Sequence, residues 1–109
     1  MLAPPMQPVR LLPQAHLFVC ANRRAPDDPL GPGCSAFGDA LYDTLKAEVA
    51  QRGLVRTVWV TKTHCLGICP KHGATTAVYP HQRMWAGAEA EDAGALINAA
   101  LEGKPRGQA

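Results

Sequence analysis

Apolar residues in this chain gather in short β-branched or aromatic runs in some segments and at helical spacing in others. Ala15 to Val19 (Ala-His-Leu-Phe-Val) is a run of β-formers that ends directly at Cys20. Val55 to Thr61 (Val-Arg-Thr-Val-Trp-Val-Thr) is a second such run. The stretch between Ala21 and Gly33 holds Pro26, Pro29, Pro32, Gly31, Gly33 and the Asp27-Asp28 pair, and reads as a loop. Ser35 then stands where it could cap a helix with Phe37, Leu41, Leu45 and Val49 as its apolar face and Ala40 and Ala47 beside it. Gly53 closes that helix in the expected C-terminal position. After Gly73, Thr75 to Tyr79 and Arg83 to Ala86 form two strands joined across Pro80-His81-Gln82 as a hairpin. Ala88 to Leu101 is a second helix with Ala93, Leu96, Ile97 and Ala100 inward, stopped by Gly103 and Pro105.

The order is thus β-α-β followed by β-β-α. A strand, helix and strand favour a right-handed parallel crossover, and the hairpin extends the same sheet. The expected architecture is α/β, a central mixed sheet flanked by two helices, which is the core of a thioredoxin-like fold. At 109 residues the chain is one domain, a size that buries roughly two-thirds of its surface, and residues 15–102 carry its core. Residues 1–14, with four prolines and scattered apolar positions, read as a mobile extension, and residues 103–109 as a frayed tail.

Charge narrows the function classes. Eleven basic and nine acidic residues give a formal net charge of +2, spread without a run of one sign. A nucleic-acid partner would ask for a basic stripe, and none is visible. No stretch approaches 18 uninterrupted apolar residues, so no membrane span is expected. Residues 1–14 also lack the basic start, apolar core and small-residue cleavage site of a secretory signal, which places the chain in the cytoplasm as an expectation. In that compartment clustered cysteines bind metal or do redox chemistry more often than they form disulfides.

The candidate chemistry lies in four cysteines, Cys20, Cys34, Cys65 and Cys69, spaced C-x13-C-x30-C-x3-C. Each lies within two residues of a glycine, a proline or the end of an apolar run. The segments carrying Cys20 and Cys65 leave the C-terminal ends of the two parallel strands, where open α/β sheets place their sites. Gly67 permits a positive φ between Cys65 and Cys69, and Pro70 stops the segment continuing as a helix. Such a loop aims its sulfurs inward and its amide N–H groups at the sulfur atoms. Thiolates are soft ligands, and four of them satisfy a [2Fe-2S] centre.

Other readings stay open at this level. Structural zinc sites with four cysteines use two short knuckles, and here one pair is short while the other spans 13 residues. A dithiol oxidoreductase needs C-x-x-C after its first strand, and Cys20 has no partner at that spacing. A Rieske centre needs two histidine ligands; His64 adjoins Cys65 but has no counterpart. His16, His64, His72 and His81 read as ordinary polar surface or turn residues. Arg23, Arg24, Lys62 and Lys71 are either solvated loop charges or a rim that offsets cluster charge and docks a partner. Trp59, Tyr79 and Trp85 read as sheet packing.

Several stretches together, His16 to Arg24 (His-Leu-Phe-Val-Cys-Ala-Asn-Arg-Arg), Cys34, Cys65-Leu66-Gly67-Ile68-Cys69, Val78-Tyr79-Pro80 and Trp85-Ala86-Gly87, resemble the thioredoxin-like [2Fe-2S] ferredoxin family. The resemblance covers about residues 15 to 102. It implies that Cys20 and Cys34 bind one iron and Cys65 and Cys69 the other, with one cluster per chain. It implies a one-electron carrier rather than an enzyme, a homodimer, and redox partner proteins as reductase and acceptor. The long proline-rich first loop departs from the family pattern. The alternatives are an iron-sulfur regulatory or assembly protein and a structural zinc module.

Overall fold

A computed structural model of the chain describes residues 5–25, 27–31, 33–68 and 70–102. Among these, the elements run β1 (Ala15–Cys20), α1 (Ser35–Gln51), β2 (Val58–Thr63), β3 (Ala74–Tyr79), β4 (Arg83–Ala88), a short 3-10 turn (Ala90–Asp92) and α2 (Ala93–Glu102). The strands form one sheet in the order β2-β1-β3-β4. β1 is parallel to β2 and antiparallel to β3, and β3 is antiparallel to β4. The mixed sheet and the β-α-β, β-β-α order are those expected from the sequence.

Strand alternation divides the sheet into two unlike faces. Leu17 lies between Val60 of β2 and Val78 of β3, which puts all three on one face. Leu41, Leu45 and Val49 of α1 and Leu96, Ile97 and Ala100 of α2 join them in one buried cluster. Both helices therefore cover this face. Burial of each large aliphatic side chain contributes about 1.5–3 kcal/mol. On the opposite face the ring of His16 stacks on Phe18 with centroids 4.1 Å apart, and meets Trp59 edge-on at 5.8 Å. Phe18 meets Tyr79 edge-on at 6.0 Å. No helix covers these rings among the described residues, and Trp59, Tyr79 and Met84 are 39%, 43% and 42% exposed.

Boundaries moved where backbone bonding outweighed side-chain propensity. β2 starts at Val58 rather than Val55, because Thr57 and Val58 both donate to Leu54 O and hold residues 54–57 in a turn. Ser35 is not the cap of α1. Cys34 occupies that position without a side-chain capping bond, and Ser35 is the first helical residue, its N–H engaged by Asn22 O at 3.2 Å. Ala40 and Ala47 are exposed, and Gly38 joins the buried stripe instead. Gly53 ends the helix with φ +70°, as expected. Ala88 closes β4, and α2 proper begins only after the 3-10 turn, where Glu89 N–H donates to Asp92 Oδ2 at 2.8 Å. Gly103 and Pro105, assigned as stops, lie outside the described residues.

His81 corrects the histidine reading. It is fully buried, and its Nε2 donates to Ala100 O at 2.8 Å, fastening the hairpin turn to the end of α2. No described helix is long and apolar enough to cross a membrane.

Candidate metal centre

Parallel pairing of β1 and β2 ends with Cys20 opposite Thr63, and Ala21 N–H donates to Thr63 O at 3.0 Å. The chain therefore leaves both strands side by side, with Cys20 on one exit and Cys65 two residues past the other. The first loop returns to the same place. Ser35 N–H reaches Asn22 O, which ties the residue after Cys34 to the segment just past Cys20. Gly38, one turn into α1, lies against the end of β1 so closely that a Cβ there would sit 2.0 Å from Cys20 O. Its N–H donates to Cys34 O at 2.6 Å. Cys20 and Cys34 are both fully buried.

Cys65 is exposed on the second loop. Gly67, with φ +95°, directs its N–H at Cys65 Sγ at 3.2 Å, the amide-to-sulfur contact anticipated from this loop. The hydroxyl of Thr75, itself fully buried, donates to Ile68 O at 2.8 Å and anchors the loop to β3. Farther along, His72 Nε2 is 2.9 Å from Glu89 Oε1, and its ring lies 4.5 Å from that of Phe37 on α1. Cys69 lies outside the described residues.

The donor set suits a soft metal centre. Cys34 sits at the N-terminus of a 17-residue helix, where the positive end of the dipole favours a thiolate. At Cys65 the Gly67 N–H directed at Sγ is a hydrogen bond of the kind that tunes a cluster sulfur. Among the described residues no three His, Cys, Asp or Glu side chains are gathered around one point. Deprotonated sulfurs repel one another, so convergence of such ligands is coupled to metal binding.

Two of the four cations read as a possible rim have a local role. Arg23 and Lys62 both bind Asp39, Lys62 at 3.1 Å, and Lys62 also lies 4.8 Å from the Tyr42 ring centroid. The Lys62 hydrogen bond, with the charges of Lys62 and Arg23, holds the Asp39 carboxyl below its usual range. Gly38 and Thr75 are parts of the site that sequence reasoning missed. A glycine inside a helical run was a usable signal for the first; a threonine in a strand of β-formers gave none for the second.

No family model matches the chain, and no curated protein matches it. Solved structures do. The thioredoxin-like [2Fe-2S] ferredoxin from Aquifex aeolicus is 24% identical, superposes with a TM-score of 0.71, and matches over 84% of this chain and 90% of its own. A cysteine-to-serine variant of that ferredoxin gives a TM-score of 0.72 over 85% and 93% of the two chains. The order of strands and helices, the mixed sheet and this superposition agree that the chain has the thioredoxin-like fold of that ferredoxin.

Proposed function

We propose that this chain is a one-electron carrier that holds one [2Fe-2S] cluster through Cys20, Cys34, Cys65 and Cys69. The observation that carries the reading is that the segments bearing Cys20, Cys34 and Cys65 all leave or return to one end of the sheet, with Cys20 and Cys34 buried and the Cys65 sulfur accepting an amide hydrogen bond. That arrangement stands on a backbone shared with a [2Fe-2S] ferredoxin. The cluster, when bound, supplies a reversible one-electron couple. The chain's own residues supply thiolates, a helix N-terminus beside Cys34, an N–H to Cys65 and a wall that buries Cys20 and Cys34. Its partners are a reductase and an acceptor protein, and its setting is a reducing compartment such as the cytoplasm, where the thiols persist.

A second copy of the chain is the proposed occupant of the sheet face opposite the two helices. His16, Phe18, Trp59, Thr61, Ala77, Tyr79 and Met84 lie on that face, and burial lowers the pKa of His16. With the imidazole neutral, two such faces meet without like-charge repulsion. Four strands of six residues span roughly 400 Å² in plan, about half of what one partner of a standard interface buries. Exposed Leu11, Leu12 and Val55 beside Trp59 extend the patch.

Iron, zinc and sulfide analysis of freshly purified protein, with EPR after dithionite, tests the cluster. Two irons and two sulfides per chain, visible absorption that bleaches on reduction, and a rhombic signal are expected. Colourless protein with stoichiometric zinc refutes the reading, and ready transfer of the cluster to an apo-acceptor assigns assembly instead. Sedimentation tests the dimer: wild type should sediment as two chains and Trp59→Lys as one. A monomeric wild type refutes that part alone.

A further inference from the structure

Thr75 is fully buried, yet its hydroxyl is spent on a loop carbonyl rather than on the sheet. The β1–β3 register runs from His16↔Tyr79 to Val19↔Thr76. Thr75 and Cys20 each lie one residue beyond the last pair of that ladder, at the same end of the sheet. Its bond to Ile68 O reaches the residue immediately before Cys69. One side chain thus stands where three stretches meet: the end of β1 with Cys20, the start of β3, and the loop between Cys65 and Cys69.

We infer that Thr75 is a positioning residue for the cluster loop, acting through the Ile68 carbonyl to hold the Cys65 turn in the shape that keeps an amide on its sulfur. This rests on the cluster reading above. Gly67 directs its N–H at Cys65 Sγ with φ +95°, a conformation set by the turn as a whole. Fixing Ile68 O, one residue on, fixes the turn's far end. An N–H donor stabilises the more negative, reduced state of a cluster, so loosening the turn drives the potential downward. It also removes a barrier to opening the loop and losing metal.

The test compares Thr75→Val, which keeps the shape and deletes the hydroxyl, with Thr75→Ser, which keeps the hydroxyl. In the cluster-loaded protein, Thr75→Val should release iron to a chelator about tenfold faster than wild type and have a more negative midpoint potential. Thr75→Ser should restore both toward wild type. Thermal melting of the apoproteins reports stability separately from these readouts. Wild-type potential and release rate in Thr75→Val overturn the inference and leave the cluster reading standing. So does a Thr75→Ser that behaves like Thr75→Val. A wild-type protein without iron and sulfide overturns both.

Discussion

Replacing Gly38 by alanine sets two physical effects against each other. Gly38 lies inside α1, where helix propensity alone favours alanine by about 1 kcal/mol. A Cβ at that position, however, would sit 2.0 Å from Cys20 O, 2.9 Å from Cys20 C and 3.0 Å from Ala21 Cα. Comfortable C···O contacts begin near 3.3 Å, so helix and strand must part by about 1 Å. All three neighbours are backbone atoms that cannot rotate away. Overpacking of this kind costs about 1–3 kcal/mol, and more when backbone must move. With the upper end of that range, the net loss is about 2 kcal/mol, a factor of about 30 in the folding equilibrium. Urea unfolding of the apoprotein should show the midpoint falling by about 1 M or more at unchanged slope. Iron bound per chain should fall as well, because the parting separates Cys20 from Cys34. Gly94→Ala is the control. The nearest atoms to its Cβ would be the movable ends of Glu48 and Arg52, from 3.3 Å outward, so it should be neutral or stabilising. A Gly38→Ala protein as stable as Gly94→Ala would refute the close approach of α1 to Cys20.

Other outcomes follow from single contacts. Cys65→Ala should abolish stable iron binding, measured as iron per chain, since the short loop offers no substitute thiol; full iron with an unchanged spectrum would refute the ligand assignment. His81→Ala should lower the unfolding free energy by about 2–4 kcal/mol, through a cavity and an unsatisfied Ala100 carbonyl. Asp39 has a folded-state pKa below 3.8, so its contribution is present above that value and fades as pH falls through the lower, folded one. Its exposure limits this to less than about 1 kcal/mol, and acid unfolding of Asp39→Asn should lack that share. His16 has its pKa lowered from 6.5 by burial, so protonation favours the unfolded chain. Apoprotein stability should be full above pH 6.5 and decline below it, and the decline should be shallower in His16→Gln.

Much of the molecule was legible because local chemistry and the final structure agree. β1 ends at Cys20 because its β-formers do, and Leu41, Leu45 and Val49 recur at helical spacing and are buried together. Gly53 stops α1 with a left-handed backbone, and the β3–β4 hairpin lies where Pro80-His81-Gln82 separates two β-prone runs. The order of these elements set the parallel crossover, and the crossover set the two cysteine-bearing exits side by side. Tertiary structure decided the rest. Val55 is β-branched yet lies outside β2, because Leu54 O captures two amides and the turn outweighs propensity. Ser35 yields the cap position to Cys34 because Asn22, thirteen residues earlier, takes its N–H. Buried His81 is indistinguishable in sequence from an exposed turn histidine, since the carbonyl that satisfies it belongs to α2. Which face of the sheet the two helices cover, and that Thr75 reaches Ile68, depend on where distant segments come to rest. Residue type and spacing fix what a side chain is able to do; only the folded neighbourhood supplies the partner with which it does it.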